Sequence, residues 1–268
     1  MEIFIRAYRW LNVLSIDVAL GSACSALFFS KLFQVTILPY GLIALAVTVW
    51  VIYTVDHLLD ARKIAQPAST TRHHFHQTNF RVLVKLVLIA VIMNSVLIFF
   101  IRKPVLLAGV FLFAGVGFYL LVQQYMKVSK EIVIALLYTI GVALPSMAVT
   151  DLPVSEWPWL ILVQFFLTAL TNLILFAWFD RERDQKDKRS SVATAIGEQG
   201  SRYILSALLV TSILITFFST YTIASVFILV GNLILLIIFM KRSLFEQHDR
   251  FRLLGDAIFF IPLLYWLI

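Results

Sequence analysis

Apolar residues in this chain run in nearly unbroken blocks of about twenty, separated by short polar stretches. A helix of that length rises far enough to cross a hydrocarbon core of ~30 Å. The pattern predicts an all-α integral membrane protein of about nine transmembrane helices. They fall at 11–29, 36–57, 82–101, 104–122, 131–149, 158–179, 203–219, 222–240 and 252–268. Two boundaries rest on brief interruptions, at Arg102-Lys103-Pro104 and Ser219-Thr220-Tyr221. Pro145 and Pro262 fall inside predicted spans, which membrane helices tolerate where neighbours satisfy the freed carbonyls. Met1-Glu2-Ile3-Phe4-Ile5-Arg6 reads as an interfacial lead-in rather than a secretory signal, because no small-residue cleavage site follows it.

Composition agrees. Of 268 residues, 61% are hydrophobic and only 14% charged, against about a quarter charged in soluble domains. Nine spans consume about 180 residues. The chain is therefore one polytopic membrane domain, 1–268, with loops and ends but no soluble domain. The single cysteine, Cys24, excludes an intrachain disulfide and reads as a packed thiol.

The net charge of +7 has a topological explanation and needs no nucleic acid. With the N-terminus in the cytoplasm, every Lys and Arg except Lys31, Arg102 and Lys103 falls on the cytoplasmic side, as positive-inside orientation requires. Nine spans put the C-terminus on the opposite side. Such an asymmetry suits a bacterial inner membrane. The two long loops, 58–81 and 180–202, are both cytoplasmic, after the second and sixth spans. The layout suggests two four-helix halves plus one helix.

Each long loop opens with carboxylates at helical spacing. Asp56 and Asp60 are four residues apart, as are Asp180 and Asp184, and each pair shares one helix face. Like charges so placed repel, and near a membrane they are poorly solvated. A hard cation relieves both problems, and Mg²⁺ typically takes one or two carboxylates with water and substrate phosphate. Asp187 extends the second face, with Arg181, Lys186, Lys188 and Arg189 beside it. Either pair alone is more simply read as solvated interfacial charge. Two at equivalent places on one side of the membrane form a seat for a metal-bridged diphosphate.

The layout and these motifs resemble the UbiA superfamily of intramembrane prenyltransferases. That family has nine helices, with one Asp-rich motif after the second and another after the sixth. Asp56 and Asp60 match the last two acids of its first motif. Asp180-Arg181-Glu182-Arg183-Asp184-Gln185-Lys186, continuing through Ser190-Ser191 to Ile196-Gly197, is similar to the second. Two departures mark a divergent member. Ile52 and Tyr53 stand where the first motif has its amide and adjacent acid, and Tyr119 is followed by Gln123-Gln124 where Lys-Arg is usual.

The resemblance implies Mg²⁺-dependent transfer of a prenyl group from an isoprenyl diphosphate to a lipophilic acceptor. Asp56, Asp60, Asp180 and Asp184 would hold the metal, and Arg62, Arg72, Lys127, Lys130, Lys186 and Arg189 the diphosphate. Tyr53, Tyr119, Tyr138 and Trp178 are aromatic faces for an allylic cation, or simply packing residues. The alternative is a non-catalytic relative, or a transporter of lipid or diphosphate, using the same pocket. A structural subunit with merely interfacial Asp clusters is the third reading. His57 and the loop His73-His74-Phe75-His76 read as interfacial rather than as a transition-metal site, with closure of the loop over the diphosphate as the alternative. Asn12, Asp17 and Asn172 face the bundle interior, with Asp17 near Arg9 and Asp256 four residues from Arg252.

Overall fold

The computed structural model describes residues 2–64, 66–126 and 130–268, with only the backbone of 2–6 and 124. Every regular element among them is helical. In order they are α1 (Glu2–Val13), α2 (Ile16–Leu32), α3 (Pro39–Lys63), α4 (Thr71–Thr78), α5 (Phe80–Leu97), α6 (Lys103–Val122) and α7 (Lys130–Met147). Then follow α8 (Trp159–Lys186), α9 (Val192–Phe218), α10 (Thr222–Met240), α11 (Arg242–Glu246), α12 (Arg250–Ala257) and α13 (Pro262–Leu267).

Seven of the described helices are long and apolar enough to cross a membrane, namely α3 and α5 through α10, with α5 extended to Phe100. The bent pair Ala7–Val13 and Ile16–Leu32 makes an eighth if taken as one span. Its 84° bend falls at Leu14-Ser15, where Ser15 adopts a left-handed φ of 57°. The sequence pattern runs straight through that corner, so the span expected at 11–29 is displaced to Ile16–Leu32. The segment expected as a ninth span is divided into α12, a 3-10 turn at Ile258–Phe260, and α13. Pro262, which lacks an N–H, opens the last piece.

Helix α8 is the axis of the bundle. It packs on α7, α9, α10 and α12, and its buried side chains run from Ile161 to Asp184. Inside the bundle its buried polar groups join α9 and α10: Ser225 Oγ donates to Gln164 Oε1 at 2.7 Å, and Asn232 Nδ2 donates to Thr168 Oγ1 and Ser212 Oγ, both at 2.9 Å. Such bonds satisfy groups that lipid cannot. An aromatic cluster of Phe29, Tyr138, Phe165 and Phe259 fills the centre. Helices α5 and α6, by contrast, expose most of their apolar surface, as lipid-facing helices do.

Two helices outrun their apolar blocks. Hydropathy stops at Asp56 and Asp180, but the backbone stays helical to Lys63 and Lys186. This carries both Asp pairs at the same end of the bundle. The loop expected at 58–81 contains α4, capped by the Thr70 side chain, which accepts from His73 N.

Candidate active site at the ends of helices 3 and 8

Asp56 and Asp60 occupy the last two turns of α3, and Asp180 and Asp184 the last two turns of α8. What joins the two ends is Arg189. Its guanidinium pairs with Asp60 Oδ2 and, at 3.1 Å, with Asp184 Oδ1.

The backbone dictates this position. Helix α8 ends in a paired reversal, with Lys188 N–H donating to Gln185 O and Arg189 N–H to Asp184 O at 2.8 Å. That is the Schellman closure, which needs a left-handed residue one before its last donor. Lys188 supplies it with φ 53°. The turn folds Arg189 back over the end of its own helix. Immediately afterwards Ser191 and Thr194 form a capping box that starts α9, and Glu131 Oε1 accepts from Val192 N–H at 3.0 Å. The arginine is therefore braced on both sides.

The two long loops meet here. Asp187 accepts from the Ser69 N–H at 3.0 Å and from its Oγ at 2.7 Å. Arg189 NH1 lies 3.3 Å from His73 Nδ1, which also lies 2.6 Å from Thr70 Oγ1. A guanidinium only donates, so Nδ1 accepts and the ring is neutral. Burial, then the guanidinium charges of Arg189, Arg252 and Arg72, push the His73 pKa well below the usual histidine range. Burial works against the charge on Arg189, but Asp60 and Asp184 together outweigh it and raise its pKa.

Asp180 has its own cations. Its Oδ2 pairs with Arg252, and its Oδ1 accepts from Arg183 at 3.1 Å. Arg183 also reaches Asp249 at 2.7 Å. Asp56 differs from the other three: among the described residues its buried Oδ1 has no hydrogen-bond partner, and neither has the amide nitrogen of Gln123. Gln123 Oε1 accepts from Tyr119 at 3.3 Å.

The expected basic residues divide. Arg189 lies between the two Asp pairs. The Lys130 charge bears on Asp56, Asp60 and Asp184. Arg62 and Lys186 are exposed on the rim, with no ion pair to a described residue. Lys127 lies outside the described residues. Arg72 is buried with a second group: it donates to Asn12 Oδ1 at 3.0 Å and lies 3.6 Å from Asp256 Oδ2. Asn12 Nδ2 in turn donates to Asp17 at 2.6 Å and Asp256 at 2.8 Å. Asp17 thus bonds to Asn12 rather than Arg9, and Arg252 serves Asp180 rather than Asp256. Of the aromatic candidates, Trp178 already carries the Arg242 guanidinium over its ring at 4.4 Å, and Tyr138 belongs to the central cluster.

Sequence reasoning did not assign Arg252 or Glu131 to this region, whereas the His73 loop was expected as a cover over the diphosphate. Arg252 was visible only as the i, i+4 neighbour of Asp256, and nothing local indicates a contact with a helix seventy residues earlier. Among the described residues no three His, Cys, Asp or Glu side chains converge as a metal cage. The oxygen donors still fit Mg²⁺, which is commonly held by one or two carboxylates and completed by substrate phosphate and water. Asp60 and Asp184 face each other across one guanidinium, and Asp56 beside them has an oxygen with no partner among the described residues.

A family model, the UbiA prenyltransferase family, matches residues 76–262. The chain belongs to that family. Asp180 and Asp184 lie inside the UbiA match, whereas Asp56 and Asp60 precede it. The fold agrees. A UbiA homolog from Aeropyrum pernix K1, solved in its apo form, superposes with a TM-score of 0.71 at 13% identity, covering 94% of this chain and 99% of the other. A UbiA homolog from Archaeoglobus fulgidus, bound to GPP and Mg²⁺, gives 0.67 at 15% identity, covering 96% and 98%. The same homolog bound to DMAPP and Mg²⁺ gives 0.62 at 15% identity, covering 95% and 98%. No curated protein matches in sequence. The chain is an integral membrane protein of the UbiA fold.

Proposed function

We propose that this protein transfers a prenyl group from an isoprenyl diphosphate to a lipophilic acceptor, with Mg²⁺ between the two Asp pairs at the cytoplasmic face. The observation that carries the reading is the convergence of Asp60 and Asp184, from separate motifs, on a single cation. The A. fulgidus homolog of the same fold was solved with an allylic diphosphate and Mg²⁺. In this reading α12 and α13 form a broken ninth span, and the termini lie on opposite sides, with the N-terminus cytoplasmic.

Asp56, Asp60 and Asp184 would hold the metal, with Asp180 as their neighbour on α8. When bound, the metal supplies positive charge to the departing diphosphate. Arg189 and Lys130 bind and orient the diphosphate oxygens from the protein side, and the exposed Arg62 and Lys186 add positive field at the rim. The bond between C1 of the prenyl chain and the diphosphate oxygen breaks, and its electron pair leaves with diphosphate. C1 then bonds to the acceptor nucleophile, which gives up a proton. Tyr53 and Tyr119, near the Asp56 end of α3, shield the allylic carbon from water.

A second reading, a non-catalytic relative or a carrier, draws on the same ion pairs, because Arg189, Arg183 and Arg252 neutralise three of the four carboxylates. Protein in native membranes, given labelled geranyl, farnesyl or geranylgeranyl diphosphate with Mg²⁺, separates the two. Transfer predicts a labelled lipophilic product that falls at least a hundredfold in Asp60→Asn and in Asp184→Asn. Absence of product and of diphosphate release with all three chain lengths favours the second reading.

A further inference from the structure

Arg189 sits where a cation joining the two motifs would sit. It spans Asp60 of α3 and Asp184 of α8, the Schellman end of α8 fixes its backbone, and His73 Nδ1 receives its remaining contact. Guanidinium–carboxylate pairs are directional and strong when partly withdrawn from water, and the Arg189 side chain is 17% exposed. A lone divalent cation would have to displace this guanidinium and leave it without an anion. It would gain no protein cage in return, since no three ligating side chains converge among the described residues.

We infer that Arg189 is an internal stand-in for the divalent cation, so that metal enters the site only together with a diphosphate. A diphosphate resolves the competition from both sides. It offers the guanidinium a bidentate oxygen partner in exchange for the carboxylates, and it supplies the metal with the oxygens the protein lacks. Asp60 and Asp184 are released to the metal as Arg189 turns to the phosphate. Metal and diphosphate then bind with positive coupling, which is reciprocal by thermodynamic necessity. The inference rests on the function proposed above and adds an order of assembly to it.

The test is Mn²⁺ binding to the purified full chain, read by electron paramagnetic resonance, with and without the thiodiphosphate analogue of geranyl diphosphate. The native protein is expected to bind Mn²⁺ at least tenfold more tightly with the analogue than without it. Arg189→Gln is expected to bind Mn²⁺ alone at least tenfold more tightly than the native chain, and adding Asp60→Asn should abolish that gain. Equal Mn²⁺ affinity of the native chain with and without the analogue overturns the inference while leaving the site reading intact. So does an Arg189→Gln chain that gains nothing, or a gain that survives Asp60→Asn. Should Arg189→Gln fail to fold, Arg189→Lys takes its place. Lysine lacks the two-nitrogen fork that holds Asp60 and Asp184 at once and grips the pair less firmly, so an affinity for Mn²⁺ alone that stays at the native value is the contradicting result. If the native chain binds no Mn²⁺ even with the analogue, the proposed function fails first and the inference goes with it.

Discussion

Asp56 and Asp180 occupy matching places at the ends of α3 and α8, yet neutralising them has different consequences. Asp180 is buried between Arg252 and Arg183. Asp180→Asn takes the carboxylate partner from the Arg252 guanidinium, while Arg183 keeps Asp249, and is expected to cost about 3 kcal/mol, the scale for breaking one side of a buried pair. Thermal unfolding in detergent reads this as a clear drop in midpoint. Asp56 has a buried carboxylate oxygen with no partner among the described residues, so Asp56→Asn should leave the midpoint unchanged or raise it, while weakening diphosphate binding. Equal stability losses in the two variants would contradict these assignments. His73 gives the pH dependence. Its folded pKa lies well below the ordinary value, first through burial and then through Arg189. The unfolded chain therefore takes up a proton at a pH where the folded chain does not. The stability from this group is complete above about 6.5 and is lost progressively as pH falls below it. The midpoint should hold from pH 8 to about 6.5 and then decline, with a shallower decline in His73→Gln.

At the scale of elements, two residues with left-handed or extended-positive backbone frame the segment that carries Arg189. Lys188 closes α8 at φ 53°, where glycine is the usual occupant. Gly197, five residues into α9, has φ 77° and ψ −179°, a region open essentially to glycine alone. Opposite effects follow. Lys188→Gly should stabilise the fold by about 1 kcal/mol by relieving the strain. Gly197→Ala should destabilise it by about 1–3 kcal/mol, even though the space around Gly197 is open. Chemical or thermal unfolding measures both, and a neutral Gly197→Ala would contradict the backbone account. These elements also show what the sequence could and could not reveal. Apolar blocks placed α3 and α5 through α10, since bilayer thickness alone sets their length. They missed the corner at Ser15, because a single left-handed residue leaves hydropathy untouched. They also cut α3 and α8 short at Asp56 and Asp180, since charged turns beyond the membrane edge are helical through packing rather than apolar pattern. The Asp pairs were legible because four-residue spacing is local. Arg252 on Asp180 and Arg72 on Asn12 and Asp256 were not, because those partners meet only when α12 and α4 fold against the bundle.

For the whole molecule, the orientation expected from Lys and Arg can be tested with the single cysteine removed as Cys24→Ser. Lys186→Cys, at the exposed last residue of α8, should react with an impermeant thiol reagent only in inside-out vesicles. Asp151→Cys, in the connection from α7 to α8, should react only in right-side-out ones. Both labelled from one side would overturn the topology. The central claim concerns the end where the two motifs meet, and equilibrium binding of geranyl thiodiphosphate tests it most directly. The measurement compares the native chain with Asp60→Asn/Asp184→Asn, with and without Mg²⁺. The account predicts Mg²⁺-dependent binding that the double variant loses at least tenfold. Binding of equal strength in both chains, or binding indifferent to Mg²⁺, would contradict it.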